Sequence, residues 1–262
     1  MARLSLGTAM DQTRSFMRRE GSLVVPVALA TFGLGFLLVN LVRPEPKAGG
    51  QLEMGAWSIS LIPFLVLLIL WQLAISNMVL RPGASVREAL AAGIRKLPTA
   101  IAIMLLLFAL GGAILFLLLI VMAVIALSVG ANMTTITAVT AMIVAIIMLF
   151  LAARLLLVWP YLADRQEGLR ATLKGGLALS RPHGGKLVLL LLAFTLVYSI
   201  LTGAVQMGFG SLLLILGRLM GAEGVGVALT IVIVSLLGAV LQAFWAVFLA
   251  HLYRQAGTPA AA

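Results

Sequence analysis

The sequence predicts an all-α, polytopic membrane protein with six transmembrane helices, and three observations carry that prediction. Apolar residues fill 63% of the 262 positions and charged ones only 10%, against the roughly 25% charge of soluble domains. Six apolar runs reach the length of about 20 helical residues that a hydrocarbon core requires. The basic residues, finally, are shared unequally between the connections on the two sides.

Taken in order, the spans are Ser22 to Val42, Trp57 to Leu80, Ala100 to Leu127, Ile136 to Trp159, Leu187 to Met207 and Val225 to Leu249. Another apolar piece, Ser211 to Met220, either extends the fifth span or lies in the outer interface. Ala28-Leu29-Ala30 has the small residues of a signal-peptidase site, but it sits inside the first apolar run and not after it. The first run is therefore expected to be a retained span.

Lysine and arginine are retained on the cytoplasmic side, so the connections fix the orientation. With the N-terminus inside, the inner segments hold fourteen: Arg3, Arg14, Arg18, Arg19, Arg81, Arg87, Arg95, Lys96, Arg165, Arg170, Lys174, Arg181, Lys186 and Arg254. The outer ones hold three, Arg43, Lys47 and Arg218, while Arg154 falls within a span. Both termini are thus expected in the cytoplasm, and the bacterial inner membrane is the expected location.

Each of the first three inner segments carries an amphipathic helical pattern just before a span. The first sets Leu6, Met10, Thr13 and Met17 on one side and Arg14 and Arg18 on another. In the second, Val86, Leu90, Gly93 or Ile94, and Leu97 recur beside Arg87, Arg95 and Lys96. The third has Leu169, Leu173, Gly176 or Leu177, and Ser180 beside Arg170, Lys174 and Arg181. Such helices lie in the interface plane with the basic face toward anionic headgroups. Aligning Met10, Leu90 and Leu173 gives offsets of 80 and 83 residues, and each unit then reads as amphipathic helix, span, turn, span. We expect one membrane domain made of three units, residues 1–83, 84–166 and 167–262.

Arg154-Leu155-Leu156-Leu157-Val158-Trp159-Pro160-Tyr161 is followed, after an acidic and glycine-bearing link, by Thr172-Leu173-Lys174-Gly175-Gly176-Leu177-Ala178-Leu179-Ser180-Arg181. This order resembles the membrane-domain family attached to some glycerophosphodiester phosphodiesterases, in which an arginine and a proline close one span before an in-plane helix. The resemblance implies a stand-alone membrane module without the catalytic domain.

A net charge of +10 in such a chain points to anionic membrane lipids as partners. It does not point to nucleic acid, because no basic stretch carries stacking aromatics. The absence of cysteine excludes disulfides, thiolate catalysis and Cys-based zinc sites. The eight acidic residues, Asp11, Glu20, Glu45, Glu53, Glu88, Asp164, Glu167 and Glu223, all fall in connections or surface helices. Neither a carboxylate proton relay nor a hydrolytic acid–base pair is therefore expected within the spans. His183 and His251 lack a ligand neighbour at helical spacing, and Gly185-Lys186 fails the P-loop pattern at both ends. No enzyme activity, cofactor or metal site is expected.

Three features remain. Arg154 stands six residues before Pro160, about 9 Å along a helix, within reach of the inner headgroups; Asp164 or Glu167 is its partner if the chain turns back at Pro160, and a ligand-binding or gating role is the alternative. The amides Gln72 and Gln242 lie near mid-membrane, where they bond between helices. Ser235, Ala239, Ala243, Ala246 and Ala250 form a small-residue stripe that permits close helix contact, within the chain or with a partner protein or second copy. The expected role is that of a scaffold or accessory subunit of a membrane assembly; the rival is the permease subunit of an ATP-driven transporter, its basic helices serving as coupling elements.

Overall fold

The computed structural model describes residues 4–43, 55–129, 132–165 and 167–257; Arg3, Glu45, Lys47 and Glu53 lie outside them. It is an all-α polytopic protein with six helices long and apolar enough to cross a membrane, and no strand occurs among the described residues. The helices are α1 (Leu6–Ala28), α2 (Leu34–Val42), α3 (Leu61–Leu80), α4 (Val86–Val129), α5 (Met133–Leu155), α6 (Val158–Asp164), α7 (Leu169–Ser180), α8 (Gly184–Leu219) and α9 (Glu223–Gly257).

A five-residue π turn, Leu29–Gly33, joins α1 to α2, so the first spanning helix runs unbroken over 37 residues from Leu6 to Val42. At 1.5 Å per residue it measures about 55 Å, nearly twice a hydrocarbon core of about 30 Å. The π turn follows Pro26, which lacks a backbone donor, and wider turns of this kind absorb such a defect. Ser211 to Met220 likewise proves continuous with the fifth span, since α8 runs to Leu219.

Of the three amphipathic segments, only one forms a helix separate from its span. In α1 and α4 the amphipathic segment passes into the span without a break, even through Pro98, which lies inside the 44 residues of α4. Between Ser180 and Gly184, in contrast, a 3-10 turn at Arg181–His183 containing Pro182 separates α7 from α8. Punctuation decides the difference. Only the third segment has a Pro-His-Gly-Gly stop between helix and span.

All three segments seat their small residues on protein. Ala9 of α1 is buried with Leu252 and Tyr253 of α9, and Ser5 N donates to Gln255 Oε1 at 3.1 Å. In α4, Gly93 lies against Leu70 and Leu73 of α3, a Cβ added there coming within 3.1 Å of Leu70 Cδ1. Gly176 of α7 rests on Val158 of α6, where an added Cβ would stand 2.8 Å from the Val158 Cα. Segments two and three thus lie on the helix that closes the preceding pair, and segment one on the last helix of the chain.

The buried core occupies the end of the bundle that carries α6, α7 and the chain's first turn, hereafter the basic end. One cluster joins Val24, Ala28 and Phe32 to Trp71, Ile75 and the α9 residues Ala239, Ala243, Ala246 and Ala250. A second gathers Leu157, Leu187, Trp245 and Leu252, with Phe194 stacked on Trp245 at 4.1 Å. The third holds Ile69, Leu73, Ile103, Val158 and Leu162. Towards the opposite end, α4 and α8 turn large apolar side chains outward, Phe116 being 67% and Met207 79% exposed. Hydrocarbon meets those faces without cost, as water would not.

The orientation inferred from the basic residues has a direct test on exposed positions at opposite ends. Ala91 in the first turns of α4 and Gly224 in the first turn of α9 are both exposed. In a chain free of cysteine, Gly224→Cys is expected to react with an impermeant reagent applied outside intact cells, and Ala91→Cys only after lysis. The reverse pattern would invert the topology.

Candidate functional site at the basic end

The small-residue stripe is consumed inside the chain. Ala239, Ala243, Ala246 and Ala250 are each 0% exposed and Ser235 is buried too, packed on α1 and α3. A cysteine-free, methyl-sized seam lets three helices meet, and it leaves no room for a subunit contact there. Of the two contacts the stripe permits, the one within the chain is the one formed.

The cationic residues remain outside. Arg14, Arg18, Arg87, Arg95, Arg170, Lys174 and Arg181 are exposed, and Lys96 is half-buried. They do not form one site. Arg14 and Arg18 stand on α1 and Arg87 at the start of α4, whereas Arg95 and Lys96 enter a cavity with two arginines that the sequence offered only as topological markers.

That cavity, of about 450 Å³, is lined by Arg81, Arg95, Lys96, Thr99, Arg165 and Glu167 among others. Helix ends place its cations. Arg81 is the C-cap of α3 and Arg165 the C-cap of α6. The chain reverses after Arg81 at Gly83, whose φ of +87° suits glycine. It then enters α4 through a capping box: Ser85 N donates to Glu88 Oε2 at 2.9 Å and Glu88 N to Ser85 Oγ at 3.3 Å. This fixes the first turn of α4 and so the heading of Arg95 and Lys96.

Lys96 ties the elements together. Its Nζ donates to Leu162 O at 2.8 Å and to Ala163 O, carbonyls at the C-terminal end of α6 where a cation is favoured. The carboxylates nearby are already engaged. Asp164 accepts from Tyr253 Oη at 2.7 Å and lies 3.7 Å from Arg165 Nε, and Glu167 accepts from Tyr161 Oη at 2.9 Å. Neither is therefore the partner expected for Arg154, whose guanidinium instead stands 5.0 Å over the Phe150 ring. The reason is local: α6 continues after Leu155 for another two turns and carries both acids away from Arg154.

Within the spans, Gln72 is buried and its Nε2 has no hydrogen-bond partner among the described residues, while Gln242 is half-buried. No hydrogen bond joins the two. Sequence reasoning missed the neighbours of Gln72: Ser76 and Asn77 are also buried on α3, with Asn77 Nδ2 donating to Leu73 O at 2.8 Å. The signal was present as three polar residues within six positions of an apolar run. His251 is buried edge-on to Phe16, and no three His, Asp or Glu residues gather among the described residues.

Comparison with protein-family models, curated proteins and solved structures finds no match. The geometry alone therefore carries the functional reading. Chemically, the basic end offers fixed cations to an anionic surface.

Proposed function

We propose that this chain is a non-enzymatic module of the bacterial inner membrane, a scaffold or accessory subunit whose cytoplasmic end engages anionic headgroups and a partner protein. The observation that supports it most is the cavity in which Arg81, Arg95, Lys96 and Arg165 converge from three elements while Glu167 is its one lining carboxylate. Arg95 and Arg165 are exposed, although Arg165 also lies 3.7 Å from Asp164, whereas Lys96 is bonded into the fold. A surface so divided is built to present charge, and clustered cations attract anionic partners at about 1 kcal/mol per residue near a membrane. Because the α9 seam is internal, a partner's contact falls on this end.

The test uses a photo-cross-linking residue at Arg95 or Arg165 in intact membranes, with Leu196, 61% exposed on α8, as the comparison position. A single protein adduct of defined mass is expected from the first two and lipid adducts alone from Leu196. Solute flux or lipid turnover by the purified chain in vesicles would overturn the reading. Flux that appears only with an added ATPase would replace it with the permease role.

A further inference from the structure

A second feature lies on the side of the bundle, away from the cavity at the basic end. The middle of α4, the inner half of α5 and the face of α7 enclose an open groove of about 870 Å³. Its long wall is apolar, formed by Ile146, Ile147 and Phe150 of α5 opposite Leu110 and Ile114 of α4. At its basic-end mouth stand three cations, Arg154, Lys174 and Arg181, and no carboxylate among the described residues lines it. Ile146 and Arg154 are eight positions apart, so the wall runs about 12 Å along the axis of α5. The groove is therefore amphipathic in one direction only, charged at the interface and greasy toward the membrane centre.

Arg154 is the telling residue. It is half-buried, its Nε is fully buried, and that atom has no hydrogen-bond partner among the described residues. An added Cβ at Gly184 would come within 3.5 Å of the same Nε, so the first turn of α8 closes one side and the guanidinium is held toward the groove. A half-buried guanidinium at the membrane edge favours an anionic acceptor where its exposed part faces the groove. The acids that follow it in sequence are bonded to tyrosines. No acceptor for Nε stands among the described residues, and the Arg154 side chain lines the groove.

We propose that this groove holds one anionic phospholipid, its phosphate between Arg154, Lys174 and Arg181 and one acyl chain along Ile146, Ile147 and Phe150. Charge complementarity selects the headgroup and the apolar wall selects a lipid over a soluble anion. The site is distinct from the diffuse attraction of exposed arginines, because Arg154 is fixed by packing and the stoichiometry is one. It rests on the membrane setting of the chain and not on the accessory-subunit role.

The test is native mass spectrometry of the full chain, extracted in mild detergent and exchanged into vesicles of phosphatidylglycerol and phosphatidylcholine with identical acyl chains. One phosphatidylglycerol per chain is expected to persist. The pair Lys174→Gln with Arg181→Gln, both exposed positions, should lower its occupancy about tenfold while the fold is retained. Ala178→Trp, which fills the mouth without changing charge, should do likewise. Arg14→Gln with Arg18→Gln, on another helix, should leave it unchanged. Equal retention of phosphatidylcholine, unaltered occupancy in both groove variants, or a loss that follows Arg14 and Arg18 would each overturn the proposal. Arg154→Gln is expected to give the largest loss, and the exposed pair decides the matter should that variant fail to fold.

Discussion

Leucine at both Ala239 and Ala243 is expected to unfold the detergent-solubilised protein at temperatures where the parent is stable. Both alanines are 0% exposed, and a Cβ added at Gly33 in the π turn would lie 3.4 Å from the Ala239 Cβ. The seam thus has room for methyl groups and little else. Three extra carbons at each site must push α9 from α1 and α3 or force strained rotamers, at about 1–3 kcal/mol per site. Together the two substitutions should cost about 2–6 kcal/mol, a fall in melting temperature of about 4–24 °C at about 2–4 °C per kcal/mol. Val240→Leu serves as the control, since Val240 is 40% exposed on the lipid-facing side. Thermal melts followed by size-exclusion chromatography would read the difference. A folded double variant that merely sheds a partner would return the stripe to a subunit interface.

The contrast between that stripe and the spans shows what was legible in the sequence. Span number and order follow from hydropathy, a property summed over twenty residues, and the six helices lie where the apolar runs are. The stripe of Ser235 to Ala250 was equally visible, but a periodic pattern records that a face is closely packed and not which helix packs on it. The break after Ser180 was readable from Pro182 and Gly184. The continuity of α1 and α4 was harder to read, because Pro98 alone does not stop a helix supported by α3. Least legible was the gathering of cations. Arg81 and Arg165 reach one cavity with Arg95 only because two helices end at the same level, and Arg154 meets Lys174 and Arg181 only because α7 folds back over α6. Such convergence depends on crossings that no local spacing encodes.

The crossing of α7 over α6 supplies the second large effect. Gly175 and Gly176 form its contact face: a Cβ at Gly176 would stand 2.7 Å from Val158 Cγ2 and 2.8 Å from the Val158 Cα, and one at Gly175 would collide with the Tyr161 ring. The Val158 Cα is backbone and cannot swing aside, so Gly176→Val must lift α7 from α6, at about 1–3 kcal/mol. Tyr161 can rotate, but only by giving up its 2.9 Å bond to Glu167, worth about 1.5–3 kcal/mol for a charged acceptor. Gly175→Ala recovers up to about 1 kcal/mol of helix propensity against that loss, and is expected to fall between Gly176→Val and Gly185→Ala, which makes the same gain and meets nothing within 4 Å. Lifting α7 also moves Lys174, which it carries, and Arg181, which follows it, away from Arg154. The three variants should accordingly rank the same way in bound phosphatidylglycerol as in melting temperature, Gly176→Val lowest and Gly185→Ala unchanged or higher. A Gly176→Val protein with parental stability and lipid occupancy would show that the two helices do not cross at this point.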